Sequence, residues 1–245
     1  QSAIPLRLVG SEMCIRDRKS IHAIGMHGQT ISHNPDDDYP SSIQIGNGKI
    51  VAKETGYTIV NDIRTADILA GGQGAPLAPL FHNRFFGEAG KTKAVVNIGG
   101  IANVTKVINT SDKIQNNLSA FDIGPGNCLI DDWVRKNSNK KFDENGNISK
   151  AGKIDQLITN QIIENFNIDT YSKSLDIKDF DNSFARGLTF ENGCSTITNF
   201  TGYLIAKGIE NIGTDSKIKY LISGGGRKNI ALIAVSYTHL RAHET

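Results

Sequence analysis

The sequence has few cysteines and no cluster of metal-binding residues. It contains three cysteines, Cys14, Cys128 and Cys194, and no two of them form a C-x-x-C pair. This scattering argues against a disulfide framework and against a zinc site. It suits a reducing compartment, so we expect a cytoplasmic protein.

Long apolar runs and an excess of charge are also missing. No segment approaches the roughly 18 consecutive apolar residues of a membrane span. The net charge is only +2, which is too small an excess to indicate a nucleic-acid-binding surface. We therefore expect neither a membrane nor a nucleic acid as partner. With 245 residues, 38% of them hydrophobic, the chain can form one large or two modest globular domains.

Several common catalytic signatures are absent as well. The sequence contains no G-x-S-x-G elbow of serine hydrolases, no G-x-x-x-x-G-K-[ST] P-loop and no G-x-G-x-x-G dinucleotide motif. Five residues separate His27 from His33, a spacing that fits neither helical nor hairpin pairing of metal ligands. We interpret both as hydrogen-bonding or structural residues.

The densest motif is FDIGPGNCLIDDW, residues 121–133. An apolar strand that carries Asp122 runs into a Gly-Pro-Gly-Asn turn and then into a helical pattern. Glycine lets the backbone approach a ligand, proline early in a helix costs no hydrogen bond, and helix N-terminal N–H groups favour anions. The motif therefore predicts a phosphate site beside a carboxylate.

Two further glycine turns follow strand-like segments. Residues 94–106, AVVNIGGIANVTK, have two β-rich halves around Gly99 and Gly100, which predicts a hairpin whose tip could cradle an anion. Spacing alone does not distinguish this from any other hairpin. Residues 219–222 predict a buried strand that ends in three glycines before a helix, a weak indication of a nucleotide site.

The first part of the chain has polar groups suited to a sugar. Residues 20–25 predict a short buried strand, followed by a polar turn in which Gln29 and Thr30 offer neutral donors and acceptors. Further strands are predicted at residues 42–45 and 57–60, with a short helix between them that Gly56 ends.

Residues 61–79, NDIRTADILAGGQGAPLAP, form the second dense stretch. Arg64 lies between two aspartates and ahead of a Gly-Gly-Gln-Gly loop, and its planar guanidinium suits a carboxylate or a phosphate. A surface salt bridge beside a flexible turn is the alternative.

Two helices are predicted in the second half by apolar residues at steps of three and four. We expect both stripes to pack into the core. In residues 154–166 the stripe is Ile154, Leu157, Ile158, Ile162 and Phe166, and in residues 196–209 it is Ile197, Phe200, Leu204 and Ile205.

The order of these motifs resembles the nucleotide-binding half of the hexokinase and actin superfamily. Within it, IGMHGQTISHNP, the stretch at residues 61–79, VVNIGGIANVT, FDIGPGN with LIDDW, and ISGGGRKN together resemble the anhydro-N-acetylmuramic acid kinase family over about residues 21–232. The resemblance implies a two-lobed α/β fold of the hexokinase and actin (ribonuclease H-like) type with a cleft between the lobes. Residues 19–93 would belong to the first, sugar-binding lobe and residues 94–234 to the second, nucleotide-binding lobe.

The resemblance also implies an activity. The family opens the internal bridge of 1,6-anhydro-N-acetylmuramic acid with water and phosphorylates the released O6 with ATP and Mg²⁺. The product is N-acetylmuramic acid 6-phosphate, in peptidoglycan recycling. Because the leaving oxygen takes a phosphoryl group, one base suffices where a glycosidase needs two carboxylates. Another sugar or acyl kinase of the superfamily and a nonenzymatic sugar-binding module are the alternatives, and a homodimer is compatible with each.

By this resemblance Asp122 is the catalytic base, with a helix-entry cap as the alternative, and Asp131 orders either the turn or a metal-bound water. Asp132 is not part of the family pattern, and we expect it to be solvated. The sugar would be bound by His27, Gln29, Thr30, Arg64, Asp67, Gly71, Gly72, Gln73 and Gly74. The nucleotide would be bound by Asn97, Gly99, Gly100, Asn103, Gly124, Gly126, Asn127, Gly224, Gly225, Gly226 and Asn229.

The sequence departs from the family pattern at both ends. Nothing in it matches the family's opening phosphate-binding turn, which resembles G-x-M-S-G-T-S-x-D-G. Residues 1–18 and 235–245 are typical of translated adapter sequence, so we expect them to be non-native tails. The expectation is an internal piece of a kinase, truncated at both ends, whose own turnover is in doubt.

Overall fold

A computed structural model describes residues 21–35, 37–108, 118–166, 174–213 and 218–241. By their contacts they divide into two compact units, the first ending at Ala75 and the second beginning at Pro76. This boundary lies ahead of the lobe boundary expected at residue 93, and the lobe assignment stays a prediction. The N-terminal stretch expected to be a non-native tail lies outside the described residues.

In the first unit, residues 21–35 and 37–75 form two small two-stranded sheets and two helices. One sheet pairs β1 with β4 in parallel, and the other pairs β2 with β3 antiparallel. Helix α1 begins where the Asn47 side chain accepts from the N–H groups of Lys49 and Ile50, and it ends at Gly56 in a left-handed conformation. The elements are β1 (Ala23–Gly25), β2 (Gln29–Asn34), β3 (Ser41–Ile45), α1 (Gly48–Thr55), β4 (Thr58–Val60) and α2 (Ile63–Leu69).

The second unit is built on a four-stranded mixed sheet in the order β7-β6-β5-β8. Strands β5 and β6 form an antiparallel hairpin, β7 is antiparallel to β6, and β8 is parallel to β5. The strands are β5 (Thr92–Ile98), β6 (Ile101–Ile108), β7 (Leu118–Pro125) and β8 (Lys219–Ser223).

Six α-helices lie in the described part of the second unit, and the longest of them, α7, lies at the centre of its core. Three glycines of α7 mark points of close approach to its neighbours: Gly193 to Trp133 of α4, Gly202 to Val235 of α8, and Gly208 to Ile123 of β7. The helices are α3 (Ala78–Phe86), α4 (Cys128–Asn137), α5 (Asn147–Ala151), α6 (Gln156–Asn165), α7 (Phe190–Ile212) and α8 (Ile230–Arg241).

Much of the predicted structure is confirmed. The chain is mixed α/β, the glycine hairpin forms with Ile98 opposite Ala102, and the acid-glycine turn joins a strand to a helix. The buried stripe predicted in residues 196–209 is confirmed, because Ile197, Phe200, Leu204 and Ile205 are all buried in α7.

Five details of the predicted elements are wrong, and the first is that β1 is not a buried strand, since its residues are exposed or only partly buried. Ile154 and Leu157 are 42% and 68% exposed, because only the later part of the α6 stripe reaches the core. Strand β8 is an edge strand and Ile222 is 38% exposed, so it is not buried. Pro125 ends β7 opposite Ile101 instead of starting a helix. Gln29 and Thr30 begin β2, since they pair with β3.

The last helix, α8, runs through the start of the segment expected to be a non-native tail. Ser236 is buried within it and donates to the Leu232 carbonyl oxygen at 2.8 Å. The non-native origin of residues 235–245 stays a prediction. Across the described ranges, no helix is both long enough and apolar enough to cross a bilayer.

Candidate functional site

Three glycine turns of the second unit meet at the tip of the β5–β6 hairpin. Asn97 and Asn103 pair with each other just below the tip. The Asn97 amide oxygen accepts from the Ser223 hydroxyl at 3.3 Å, which ties the end of β8 to the hairpin. The tip at Gly99 and Gly100 is therefore braced from one side by β8.

The Gly-Pro-Gly-Asn turn braces the tip from the other side. The N–H groups of Gly126 and Asn127 donate to the carbonyl oxygens of Gly100 and Gly99 at 2.8 and 2.7 Å, and the N–H of Cys128 donates to Gly100 at 3.2 Å. The Asn127 amide nitrogen also donates to the Gly99 oxygen at 3.1 Å. We predicted that these N–H groups would point at an anion, and that detail is wrong, since the hairpin carbonyls take them.

Packing within the chain accounts for several of the predicted phosphate-site glycines. A Cβ atom on Gly126 would lie 2.3 Å from the Gly99 oxygen, and one on Gly224 would lie 2.4 Å from the Ile98 oxygen. A Cβ on Gly226 would lie 2.2 Å from the Ile98 side chain. Gly124 and Gly224 also have positive φ angles, of 154° and 80°. These positions require glycine whether or not a ligand binds.

Gly100 and Gly225 differ from those glycines. Neither has a positive φ angle. Among the described residues, a Cβ on Gly100 would meet only Ile177, at an ordinary 3.4 Å, and one on Gly225 would meet only the Asn127 amide nitrogen, at 3.9 Å. Neither backbone conformation nor packing therefore explains why these two residues lack a side chain.

Asp122 lies on β7 opposite Asn103, one residue before an irregularity in the pairing of β6 with β7. Its side chain is 8% exposed, and its Oδ2 accepts from the Leu175 N–H at 2.8 Å. The carboxylate thus lies at the same end of the sheet as the hairpin tip, and it also holds the chain at Leu175 against the strand.

Asp131 and Asp132 occupy the first turns of α4. Partial burial raises the pKa of Asp131 to about 6, although the charge of Arg135 opposes this rise and that of Asp143 adds to it. Asp132 accepts from the Asn182 amide at 2.9 Å and from Lys136 at 2.7 Å. The expectation that Asp132 is merely solvated is therefore wrong.

The buried Asn229 caps α8. Its amide oxygen accepts from the Leu232 N–H at 3.0 Å, and it lies so close to Gly146 that a Cβ there would be 2.5 Å away. A role in nucleotide binding stays a prediction for this residue, whereas the capping role follows from the contact.

In the first unit, His27 and Arg64 form a hydrogen-bonded pair. The Arg64 Nε donates to His27 Nε2 at 3.0 Å, and His27 Nδ1 lies 2.8 Å from the Gly28 oxygen. Since a guanidinium can only donate, Nε2 must be the acceptor and Nδ1 the protonated nitrogen. Both ring nitrogens of His27 thus have a partner within the chain.

The Gly-Gly-Gln-Gly loop is held by Asp67. The Asp67 carboxylate accepts from the Gly74 N–H at 2.7 Å, and a Cβ on Gly72 would lie 2.3 Å from it. Gly71 and Gly74 have positive φ angles of 86° and 66°. The local structure explains these three glycines, and sugar binding by them and by Gln73 stays a prediction.

A cavity of about 300 Å³ lies beside the His27 and Arg64 pair. Of the predicted sugar-binding residues, His27 alone lines it. Thr30 is not a lining residue, but its hydroxyl accepts from the amide of Gln44, which lines the cavity, at 3.4 Å. The lining residues are Met26, His27, Gly28, Ser42, Ile43, Gln44, Gly46, Asn61 and Asp62.

Sequence reasoning did not name Ser42, Gln44, Asn61 or Asp62 as binding residues, although Asn61 and Asp62 begin the dense stretch of residues 61–79. The alternation of Ser42 and Gln44 along β3 was the available signal, because residues two apart share one face of a strand. Asp62 gave no such signal, since its left-handed backbone, with φ of 56°, cannot be inferred from its identity.

The cysteines and the acids of the described segments do not form a metal site. In these segments no group of three or more His, Cys, Asp or Glu residues could hold a metal ion. Burial raises the pKa of Cys128 to about 11 and that of Cys194 to about 12, so both thiols stay protonated at neutral pH.

The raised pKa of Asp131 predicts a pH-dependent contribution to stability. Because the folded chain binds this proton more tightly than the unfolded chain, the contribution is fully present below the ordinary value of 3.8 and is lost as pH rises through about 6. Asp131→Asn should therefore gain stability relative to the wild type between about pH 4 and pH 7. Urea unfolding at several pH values measures this gain. Asp38→Asn, in an exposed loop, is the control. If the free energy of unfolding varied with pH in parallel for the wild type and Asp131→Asn, the raised pKa of Asp131 would be contradicted.

Comparison with known proteins identifies relatives of the chain. The family model described as "Anhydro-N-acetylmuramic acid kinase" matches residues 7–244. A protein of that name from Pelagibacter ubique is 46% identical over 220 residues, which is 87% of this chain and 57% of the relative. Another from Methylobacterium nodulans is 36% identical over 228 residues, which is 92% of this chain and 59% of the relative.

Solved structures give a weaker likeness. The activator of 2-hydroxyisocaproyl-CoA dehydratase from Clostridium difficile, solved with bound ADPNP, is 16% identical with a TM-score of 0.44. The match covers 89% of this chain and 84% of the activator's chain. A likeness of this size supports no conclusion about this protein.

The sequence matches establish the family, although the chain spans less than two thirds of the length of these curated relatives. The matched region includes both the glycine turns of the second unit and the His27 and Arg64 pair of the first. The chain belongs to the anhydro-N-acetylmuramic acid kinase family.

Proposed function

We propose that the protein is an ATP-dependent kinase that opens the ring of 1,6-anhydro-N-acetylmuramic acid and phosphorylates O6. A water molecule attacks the anomeric carbon, the bond from that carbon to the bridging oxygen breaks, and the oxygen takes the γ-phosphoryl group of ATP. The water proton passes to a carboxylate. The products are N-acetylmuramic acid 6-phosphate and ADP, which suits a role in cell-wall recycling in the cytoplasm.

The observation that carries the proposal is the pair Gly100 and Gly225 at the meeting point of the glycine turns. Their missing side chains are explained neither by φ nor by packing. A phosphate chain that approaches the backbone at both positions would require glycine there. Asn97, Gly99 and Asn127 would border the same nucleotide, while Gly126, Gly224 and Gly226 keep the turns close enough to form the site.

Asp122 is the proposed base. It is the acid that lies on β7 at the tip end of the sheet, and its contact with the Leu175 N–H holds the carboxylate in a defined orientation. Mg²⁺, bound through the phosphates of ATP, would offset the charge that develops on the transferred group. The Asp131 carboxyl, with a pKa of about 6, is largely ionised at neutral pH and could order a water on that ion.

The sugar is assigned to the first unit. Arg64 would bind the lactyl carboxylate, which distinguishes muramic acid from other amino sugars, because a guanidinium pairs with carboxylates through two parallel hydrogen bonds. His27 fixes the plane of that guanidinium through its Nε. Gln29, Thr30, Asp67 and the loop from Gly71 to Gly74 would shape the surroundings.

The two kinds of glycine should respond differently to alanine. Gly100→Ala and Gly225→Ala should leave the melting temperature nearly unchanged and weaken ATP binding about tenfold or more, because the new methyl group enters space open in the chain itself. Gly126→Ala should instead cost about 1–3 kcal/mol of stability through overpacking. Thermal unfolding and nucleotide titration of the three variants test this. Unchanged ATP affinity in both Gly100→Ala and Gly225→Ala would remove the main support for the nucleotide site.

Asp122→Asn should abolish most of the sugar phosphorylation and leave ATP binding intact. Asparagine keeps an oxygen that can accept from Leu175 but cannot take the proton of water, so kcat should fall about 100-fold or more. The measurement is ATP-dependent formation of the 6-phosphate by protein expressed from the complete reading frame. Asp132→Asn, on the neighbouring helix, is the matched control.

The outcomes of this assay separate the candidate functions. Near-normal turnover in Asp122→Asn would exclude Asp122 as the base. A folded wild-type protein that binds the sugar without phosphorylating it would instead favour the nonenzymatic sugar-binding module. Phosphorylation of a different sugar or acyl substrate would point to another kinase of the superfamily.

A further inference from the structure

We propose that Asp143 is a positioning residue for nucleotide binding. It holds the turn Glu144–Gly146 against Asn229, and this contact fixes the triple-glycine turn of residues 224–226. The inference rests on the proposed function, because it takes the nucleotide to bind at the triple-glycine turn. Neither the sequence motifs nor the family resemblance assigns Asp143 or the turn that follows it to the site.

Asp143 is a buried acid, 4% exposed, whose carboxylate accepts hydrogen bonds from two helices. Its Oδ1 accepts from the Ile148 N–H of α5 at 2.8 Å, and its Oδ2 accepts from the N–H and the hydroxyl of Ser149 at 3.1 and 2.6 Å. The Cys194 thiol of α7 donates to Oδ2 at 3.7 Å. Burial of a carboxylate is unfavourable unless such donors surround it, so these bonds determine where Asp143 lies.

The network around Asp143 extends to the helix at the centre of the core. The Ser149 hydroxyl oxygen lies 2.7 Å from that of Thr198, a residue of α7 that is 1% exposed. Because the single hydroxyl proton of Ser149 goes to Asp143, Thr198 is the donor in this contact. The position of Asp143 is therefore fixed relative to α7.

The turn Glu144–Gly146 has a strained backbone that Asp143 holds at both ends. Asn145 and Gly146 have φ angles of 56° and 71°, and a left-handed conformation is uncommon for a residue other than glycine. Asp143 directly precedes the turn, whereas the N–H groups that its side chain binds belong to Ile148 and Ser149, which follow it. Strained residues persist where their surroundings hold them, and here the Asp143 carboxylate does so.

Gly146 is in close contact with the start of α8. A Cβ on Gly146 would lie 2.5 Å from the Asn229 side-chain oxygen and 2.7 Å from the Ala231 backbone nitrogen. The Asn229 N–H in turn donates to the Gly226 carbonyl oxygen at 2.9 Å. A displacement of Gly146 towards α8 would therefore move Asn229 and, through it, the end of the triple-glycine turn.

Titration calorimetry with ATP tests the positioning role in protein from the complete reading frame. Asparagine has the shape of aspartate but one oxygen fewer, so Asp143→Asn should fold and leave an N–H at the end of the turn without an acceptor. Gly146→Ala pushes on Asn229 directly. Each variant should weaken ATP binding by about tenfold, because a misplacement of binding groups by about 1 Å can cost more than this. Affinity for 1,6-anhydro-N-acetylmuramic acid should stay unchanged, since the sugar is assigned to the first unit.

Thr198→Val is the matched control for a purely structural effect. It removes the hydroxyl contact between α7 and Ser149 and so destabilises the same network, but it leaves the bonds across the turn in place. Thr198→Val should therefore lower the melting temperature and bind ATP like the wild type.

A double variant shows whether Asp143 acts through the turn. If Asp143→Asn and Gly146→Ala disturb one contact, their effects are not additive, and the double variant should bind ATP about tenfold more weakly than the wild type. A loss of about 100-fold, the product of the two single losses, would mean that Asp143 does not act through Gly146 and would overturn the assignment.

The failure of this inference differs from the failure of the proposed function. If the wild type binds ATP and both Asp143→Asn and Gly146→Ala bind it equally well, Asp143 is not a positioning residue, while the kinase proposal stands. An equal loss of ATP affinity in Thr198→Val and Asp143→Asn, or an equal loss of ATP and sugar affinity in Asp143→Asn, would also overturn the inference. If the folded wild type binds no ATP, both proposals fail.

Discussion

The hydrogen bonds from the start of α4 to the hairpin tip are the contacts on which the second unit depends. Through them the N–H groups of Gly126, Asn127 and Cys128 donate to the carbonyl oxygens of Gly99 and Gly100. A helix N-terminus would otherwise leave these donors to water or to a ligand. Because these donors are used within the chain, the turn first of all joins two parts of the second unit, and the proposed nucleotide would have to approach the backbone beside it.

The sequence predicts a secondary-structure element well where its apolar residues are buried because the core surrounds the element. The α7 stripe is of this kind, because Ile197, Phe200 and Leu204 recur on a helix that the core surrounds. Prediction fails where burial depends on distant neighbours. The sequence of residues 219–222 does not indicate that β8 lies at the edge of the sheet. The spacing of the α6 stripe likewise does not indicate that Leu157 is exposed.

The candidate site was predictable in its position but not in its details. Asp122 and the glycine turns could be found because motif order and family resemblance coincide. The partners of the turn N–H groups could not be predicted, because a Gly-Pro-Gly-Asn sequence does not show whether its N–H groups donate to a phosphate or to a carbonyl oxygen. The cavity of the first unit was missed for another reason: its lining comes from short strands, and from Asp62, whose unusual backbone has no sequence signature.

The two kinds of glycine give a way to judge other members of the family from their sequences. A gene copy released from selection for catalysis, but still required to fold, would keep Gly126, Gly224 and Gly226, because a methyl group there collides with Gly99 or Ile98. The same copy could accumulate alanine or serine at Gly100 and Gly225 without harm to its fold. Under the proposed nucleotide site, retention of Gly100 and Gly225 would distinguish a working kinase from a copy that keeps only the fold.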